Sequence, residues 1–143
     1  MDDMLWSIDP ANDSMAKTLQ RIKKVTNEMQ TVSGVSVDLI IDTKLEGKEL
    51  DMKLRHDIFF LYKDAILFLV KNENVKQVFV NMKLNPLKNT LILELLSERP
   101  DNLIDFELQL NRAIQKRLEQ LPASMDLFAE SKHVSIAFNI HLK

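Results

Sequence analysis

Few residues of this chain have the types and spacing that chemistry needs. Asp64 and Lys71 lie in "YKDAILFLVKN", Tyr62 to Asn72, an otherwise apolar stretch, and Asp101 and Asn102 lie in the polar stretch "SERPDNLIDF". The imidazoles are His56, His133 and His141. No two of them are spaced as a metal pair, and a lone histidine on a helix or strand is most often structural. Cysteine is absent, which excludes disulfides and thiolate metal sites and fits a reducing compartment. Taken alone, Asp64 reads as a solvated or capped acid on a buried helix. Lys71 reads as a cation placed favourably near a helix C-terminus.

Composition narrows the classes of function. The chain has 143 residues and 45% apolar content, the size of one ordinary domain with a real core. A net charge of -2, with both signs scattered, gives no basic stripe for a phosphate backbone, so nucleic acid is not an expected partner. The longest apolar run is the six residues Ala65 to Val70, far short of the roughly 20 needed to cross a bilayer. "MDDMLWS" has an acidic start and does not read as a signal peptide. A soluble fragment without membrane contact is expected.

The elements that must position these residues follow from periodicity. Capping side chains at Asn12 to Ser14 precede Met15, Leu19, Ile22, Val25 and Met29, one face of a helix ending near Ser33-Gly34. "VSVDLII" reads as a strand, and "DTKLEGKEL" as a charged loop containing Gly47. A long helix follows from about Asp51 to Asn72, apolar almost all round in its second half and therefore central. "KQVFVNMKL" and "TLILELL" form a hairpin about "NPLKN". A third helix runs from Leu103 or Ile104 to Leu121, with Leu110, Ile114, Leu118 and Leu121 on a stripe, and Pro122 stops it. "MDLFAE" and "VSIAFNIHL" close the chain as a second hairpin. This order predicts an α/β fold: a two-layer sandwich with helices packed on one face of a mixed, mostly antiparallel sheet.

That order, behind "MDDMLWSIDPANDS", resembles the ATP-binding (GHKL, Bergerat-fold) domain of two-component sensor histidine kinases. Asp3, Trp6, Ile8, Pro10, Asn12 and Asp13 match the D-x-x-W-x-I-x-P-x-N-D segment of one subgroup of that family. The resemblance implies that residues 1–13 are a junction from a preceding dimerisation helix and that residues 14–143 form one ATPase-like domain. It also implies a cytoplasmic place, as the soluble portion of a membrane-anchored sensor. The implied partners are the dimerisation and phosphoacceptor helices of the parent sensor, or a response regulator.

The family's pocket residues carry over poorly. Its hydrophobic helix bears E-x-x-x-N and then K-H, the Glu activating water and the Asn binding Mg²⁺ from one helix face. Asp64 stands in for the acid and Lys71 keeps the basic position, but Phe68 occupies the place of the Asn and offers no oxygen to a hard cation. The D-x-G-x-G motif falls either on Ser97, Arg99 and Asp101, or, four residues later, on Asp101, Leu103 and Asp105. No glycine remains in either register. The only glycines are Gly34 and Gly47, both before this region, whereas a phosphate-cradling lid depends on glycine. Pro122-Ala123 and Ser131-Lys132 stand where the family has its later glycine motifs.

The expectation is therefore a degenerate ATPase-like domain, its pocket blocked by Phe68, without cofactor or metal. The alternative is an atypical histidine kinase domain that binds ATP with Mg²⁺, Asp64 acting as base and Lys71 and Asp101 contacting the nucleotide.

Overall fold

A computed structural model describes residues 14–142. The expected junction over residues 1–13, with Trp6 and Ile8, lies outside the described residues. Helix α1 spans Met15–Ser33. The Ser14 side chain accepts the Lys17 N–H at 3.1 Å, satisfying an amide that the first turn leaves free. Met15, Leu19, Ile22 and Val25 are buried at helical spacing. Gly34 ends the helix at φ 77, a left-handed conformation that a Cβ would penalise, and its N–H bonds to Gln30 O at 2.9 Å.

Strand β1 is Ser36–Ile41. The next segment is no plain loop but a 3-10 helix, Thr43–Gly47, and this corrects the sequence expectation. The Asp42 carboxylate accepts from the amides of Lys44 at 3.0 Å and Leu84 at 3.3 Å, fixing the turn to the neighbouring strand. Leu45 is thereby driven fully into the core. One apolar residue in a charged segment has no period to reveal it.

Helix α2, Met52–Val70, begins at Asp51, whose side chain accepts the Leu54 N–H at 2.8 Å. Strands β2 (Gln77–Asn85) and β3 (Thr90–Glu98) form the hairpin, with Asn89 taking a left-handed φ of 49 in its turn. Helix α3 is Leu103–Glu119, and β4 (Ala123–Ala129) and β5 (His133–His141) close the chain.

The sheet order is β1-β2-β3-β5-β4, with β1 and β2 parallel and the other pairs antiparallel. Register aligns the apolar side chains in rows across it. One row is Leu39, Val80, Leu95, Ile136 and Leu127, and the next is Ile41, Met82, Leu93, Phe138 and Met125. Alternation puts these rows on one face, which the helices cover. The α/β two-layer sandwich with a mixed, mostly antiparallel sheet is the architecture that the order of elements implied.

Helix α2 packs between α1 and α3, as its apolar second half required. It is not buried on every side, however: Lys63, Asp64, Leu67 and Phe68 are only half-buried. Between α1 and α2, the fully buried Tyr62 hydroxyl lies 2.5 Å from Thr26 Oγ1. Thr26 has one hydroxyl proton and gives it to Ile22 O at 2.7 Å, so Tyr62 is the donor.

Burial pushes the Tyr62 hydroxyl up to about 12, against a smaller opposing effect of the Thr26 bond. Because the folded value lies above the unfolded one, the neutral phenol's stabilisation is fully present below pH 10 and is lost as pH rises towards 12. Stability should fall by roughly 2 to 3 kcal/mol across that window. Tyr62→Phe should cost about 1 kcal/mol at neutral pH and flatten this alkaline fall. Urea unfolding at pH 8, 10 and 11.5 measures both, and an equal alkaline fall in the variant would refute the assignment.

Candidate functional site

The residues singled out by the sequence meet at the seam between α2 and α3. These helices run antiparallel: Phe68, near the end of α2, packs on Phe106, in the first turns of α3, while Arg117, near the end of α3, lies against the middle of α2. At the far end Lys53 Nζ approaches Gln120 O at 3.5 Å. Spacing of four sets Phe60, Asp64 and Phe68 along one face of α2, and that face is turned to α3.

Each residue of the stripe has a partner on α3. The Arg117 guanidinium sits 5.0 Å from the centre of the Phe60 ring, a cation–π contact. Its Nε is 3.6 Å from the Asp64 carboxylate, an ion pair too long for a hydrogen bond. Both side chains are about one-third exposed, so solvent screens the pair and its worth is at most about 1 kcal/mol. Phe68 and Phe106 are 5.2 Å apart between ring centres and tilted by 58°. Phe106 is buried and Phe68 is half-buried, so the seam is closed chiefly by the ring of α3.

The connection from β3 to α3 is four residues, Arg99 to Asn102, and it is pinned at both ends. Arg99 N donates to Lys132 O at 2.9 Å, and its guanidinium donates to Glu130 O at 2.8 Å, tying the segment to the turn between β4 and β5. Asn102 Oδ1 accepts the Asp105 N–H at 3.0 Å and so caps α3. Ser97, one register's counterpart of an adenine-reading acid, is buried and donates its hydroxyl to Glu98 O at 3.2 Å. Asp101, the other register's choice, is exposed.

Asp64 and Phe68 thus share a face. Lys71 is exposed at the end of α2, where its N–H bonds Leu67 O at 3.2 Å. Asp101 precedes α3 at that same end of the helix pair. Among the described residues no group of three or more His, Cys, Asp or Glu could hold a metal ion. Cavities of about 630, 640 and 300 Å³ lie beside β1, beside the 3-10 helix and below α2, and none of these three is lined by Asp64, Phe68, Lys71, Ser97 or Asp101.

Sequence reasoning missed Arg117, the anchoring role of Arg99 and the role of Phe106. Phe106 stands four residues before Leu110 and belongs to the apolar stripe of α3, a signal that was present. The two arginines gave none, because their partners are remote in the chain.

A five-stranded mixed sheet in this order, with three helices on one face, is the fold of histidine kinase catalytic domains. The chain is similar to the histidine kinase domain of the Erythrobacter litoralis EL346 blue-light activated histidine kinase, with a TM-score of 0.68 and 11% identity, covering 90% of this chain and 61% of that one. It is also similar to the Acinetobacter baumannii histidine kinase AdeS, with a TM-score of 0.62 and 11% identity over 91% of this chain and 66% of that one. Against the catalytic domain of histidine kinase ThkA the TM-score is 0.59 and the identity 10%, over 88% of this chain and 90% of that domain. The chain spans less than two thirds of the first two proteins. No family model matches it, and no curated protein matches it in sequence. Among the described residues no helix is long and apolar enough to cross a membrane.

Proposed function

We propose that this domain is the catalytic-domain-like module of a two-component sensor histidine kinase, and that it acts in signalling by packing and presentation rather than by transferring phosphate. The observation that carries this reading is the closed α2–α3 seam. The helix face that would offer a metal ligand at position 68 carries a phenyl ring, and that ring rests on Phe106. The four residues between β3 and α3 are held by Arg99 and Asn102, and they contain no glycine to wrap a phosphate. Such a module would pass a conformational state to the dimerisation and phosphoacceptor helices of its parent, or offer a surface to a response regulator. Its place would be the cytoplasmic side of a membrane-anchored sensor.

Ligand linkage supplies the test. A ligand present at 100 times its dissociation constant stabilises the folded state by about 2.7 kcal/mol, enough to raise the Tm of a domain this size by several degrees. Millimolar Mg-ATP is expected to move the Tm by less than about one degree. A clear upward shift that disappears in Asp101→Asn would refute the reading and support the other one, in which Asp101 reads adenine and Asp64 serves as base beside a bound Mg-ATP.

A further inference from the structure

Helices α1 and α2 run parallel: Arg21 meets Phe59 and, further along both, Thr26 meets Tyr62. On the flank of this pair away from α3 they present two facing strips. Lys17, Arg21 and Lys24 follow one another on α1 at spacings of four and three, and Met52, His56 and Phe59 do the same on α2. The first strip is cationic, and the second is apolar and aromatic. They join where the Arg21 guanidinium lies 5.4 Å from the centre of the Phe59 ring. Phe59 is 3% exposed, although it stands about 100° round the helix from the fully buried Ile58. A ring buried on such a flank is covered from the solvent side as well as from the core.

At the N-terminal ends of the two helices this groove opens into the cavity of about 640 Å³ beside the 3-10 helix. Ser14, Met15, Met52 and Arg55 line the helical side of that cavity. Arg55 is itself 5% exposed, and its Nη1 donates to Leu50 O at 2.8 Å. Glu46, Glu49 and Asp51 line the side of the 3-10 helix, so charge turns an anionic occupant towards the wall of α1.

We propose that residues 1–13 turn back from Ser14 past this cavity and lie in the α1–α2 groove, with Trp6 seated at Phe59. The occupant is selected by chemistry, reach and attachment. Residues 1–13 contain four aspartates and no basic residue, with Met4, Leu5, Trp6 and Ile8 between them, which suits one cationic wall and one apolar wall. Trp6 stands eight residues before Ser14, a span of up to roughly 26 Å when extended. Phe59 stands eight residues beyond Asp51, only about 12 Å along the helix, so there is chain to spare for a reversal at Pro10 and Asn12-Asp13. Because the segment is joined to the rim of its own groove, its effective concentration there is on the order of millimolar, which an unattached peptide would have to exceed. The groove lies across α2 from the α2–α3 seam, so the proposal stands apart from how that seam is read.

Trp6 is the only tryptophan of the chain and therefore reports on its own seat. Fluorescence of the full chain with acrylamide as quencher tests the proposal. In the wild type the emission is expected to be shifted to the blue of tryptophan in water and shielded from the quencher, equally at every dilution. Arg21→Glu should move the emission to that of tryptophan in water and abolish the shielding, with an unchanged far-UV spectrum. The double variant Asp2→Lys, Asp3→Lys should do the same from the other side without touching the helices, and so decides the matter should Arg21→Glu fail to fold. A wild-type Trp6 quenched as freely as tryptophan in water overturns the proposal. Shielding that fades on dilution also overturns it, because the occupant would then be a second copy, and so does shielding that survives the double variant.

Discussion

Phe106→Ala should destabilise the domain by about 3 to 5 kcal/mol, the usual cost of removing a buried aromatic ring. For a chain of this length that corresponds to a Tm lower by very roughly 10 to 20 °C. Phe68→Ala should cost only about half as much, because its ring is half-buried and part of its surface already meets water. The two rings are in contact, so the double variant should cost less than the sum of the single ones, by about 0.5 to 1.5 kcal/mol. Urea unfolding of the four proteins gives the cycle. Strict additivity would mean that the seam is not held by this pair, and a larger cost at Phe68 than at Phe106 would mean that the buried and half-buried roles are reversed.

Leu45→Ala should cost about 2 to 5 kcal/mol, although its neighbours in "DTKLEGKEL" are charged or small. The 3-10 helix has almost no other hold on the core: Leu45 is its single buried residue, and Asp42 fastens only its leading end to β2. Loss of the leucine should therefore also loosen the connection from β1 to α2. Proteolysis would report this as new cleavage between Asp42 and Asp51 under native conditions. A stability within about 0.5 kcal/mol of the wild type, as expected of a surface substitution, would show that the segment is a solvated loop after all.

What could be read from sequence was what local chemistry dictates. Ser14 and Gly34 bound the first helix because one offers an oxygen to free amides and the other tolerates a left-handed φ, and both properties belong to the residue itself. The hairpins showed in their alternation, and Pro122 marked the end of α3. Leu45 was illegible because burial of one side chain in a short 3-10 turn leaves no period. The placing of β5 inside the sheet and β4 at its edge is a matter of topology, and nothing in either segment states it. Asp64 could be picked out as a charged residue on an apolar helix, but its pairing with Arg117 is a relation between helices that spacing along one chain does not encode. The half-burial of Phe68 was missed for a similar reason: an all-round apolar stretch says that a helix is covered, while the neighbouring helix decides how completely.

The turn at Asn89 carries a consequence for the unfolded chain. Residues 48–143 contain no glycine, so even the one left-handed position between β2 and β3 is met by a residue with a side chain. Each such residue has fewer backbone conformations to lose on folding than glycine would, a difference of about 0.4 to 1 kcal/mol per position where the native conformation is compatible. Asn89 gives some of this back in strain. Over the rest of this segment the disordered ensemble is narrower, and the native state is favoured by what the chain cannot do when unfolded as well as by what it touches when folded.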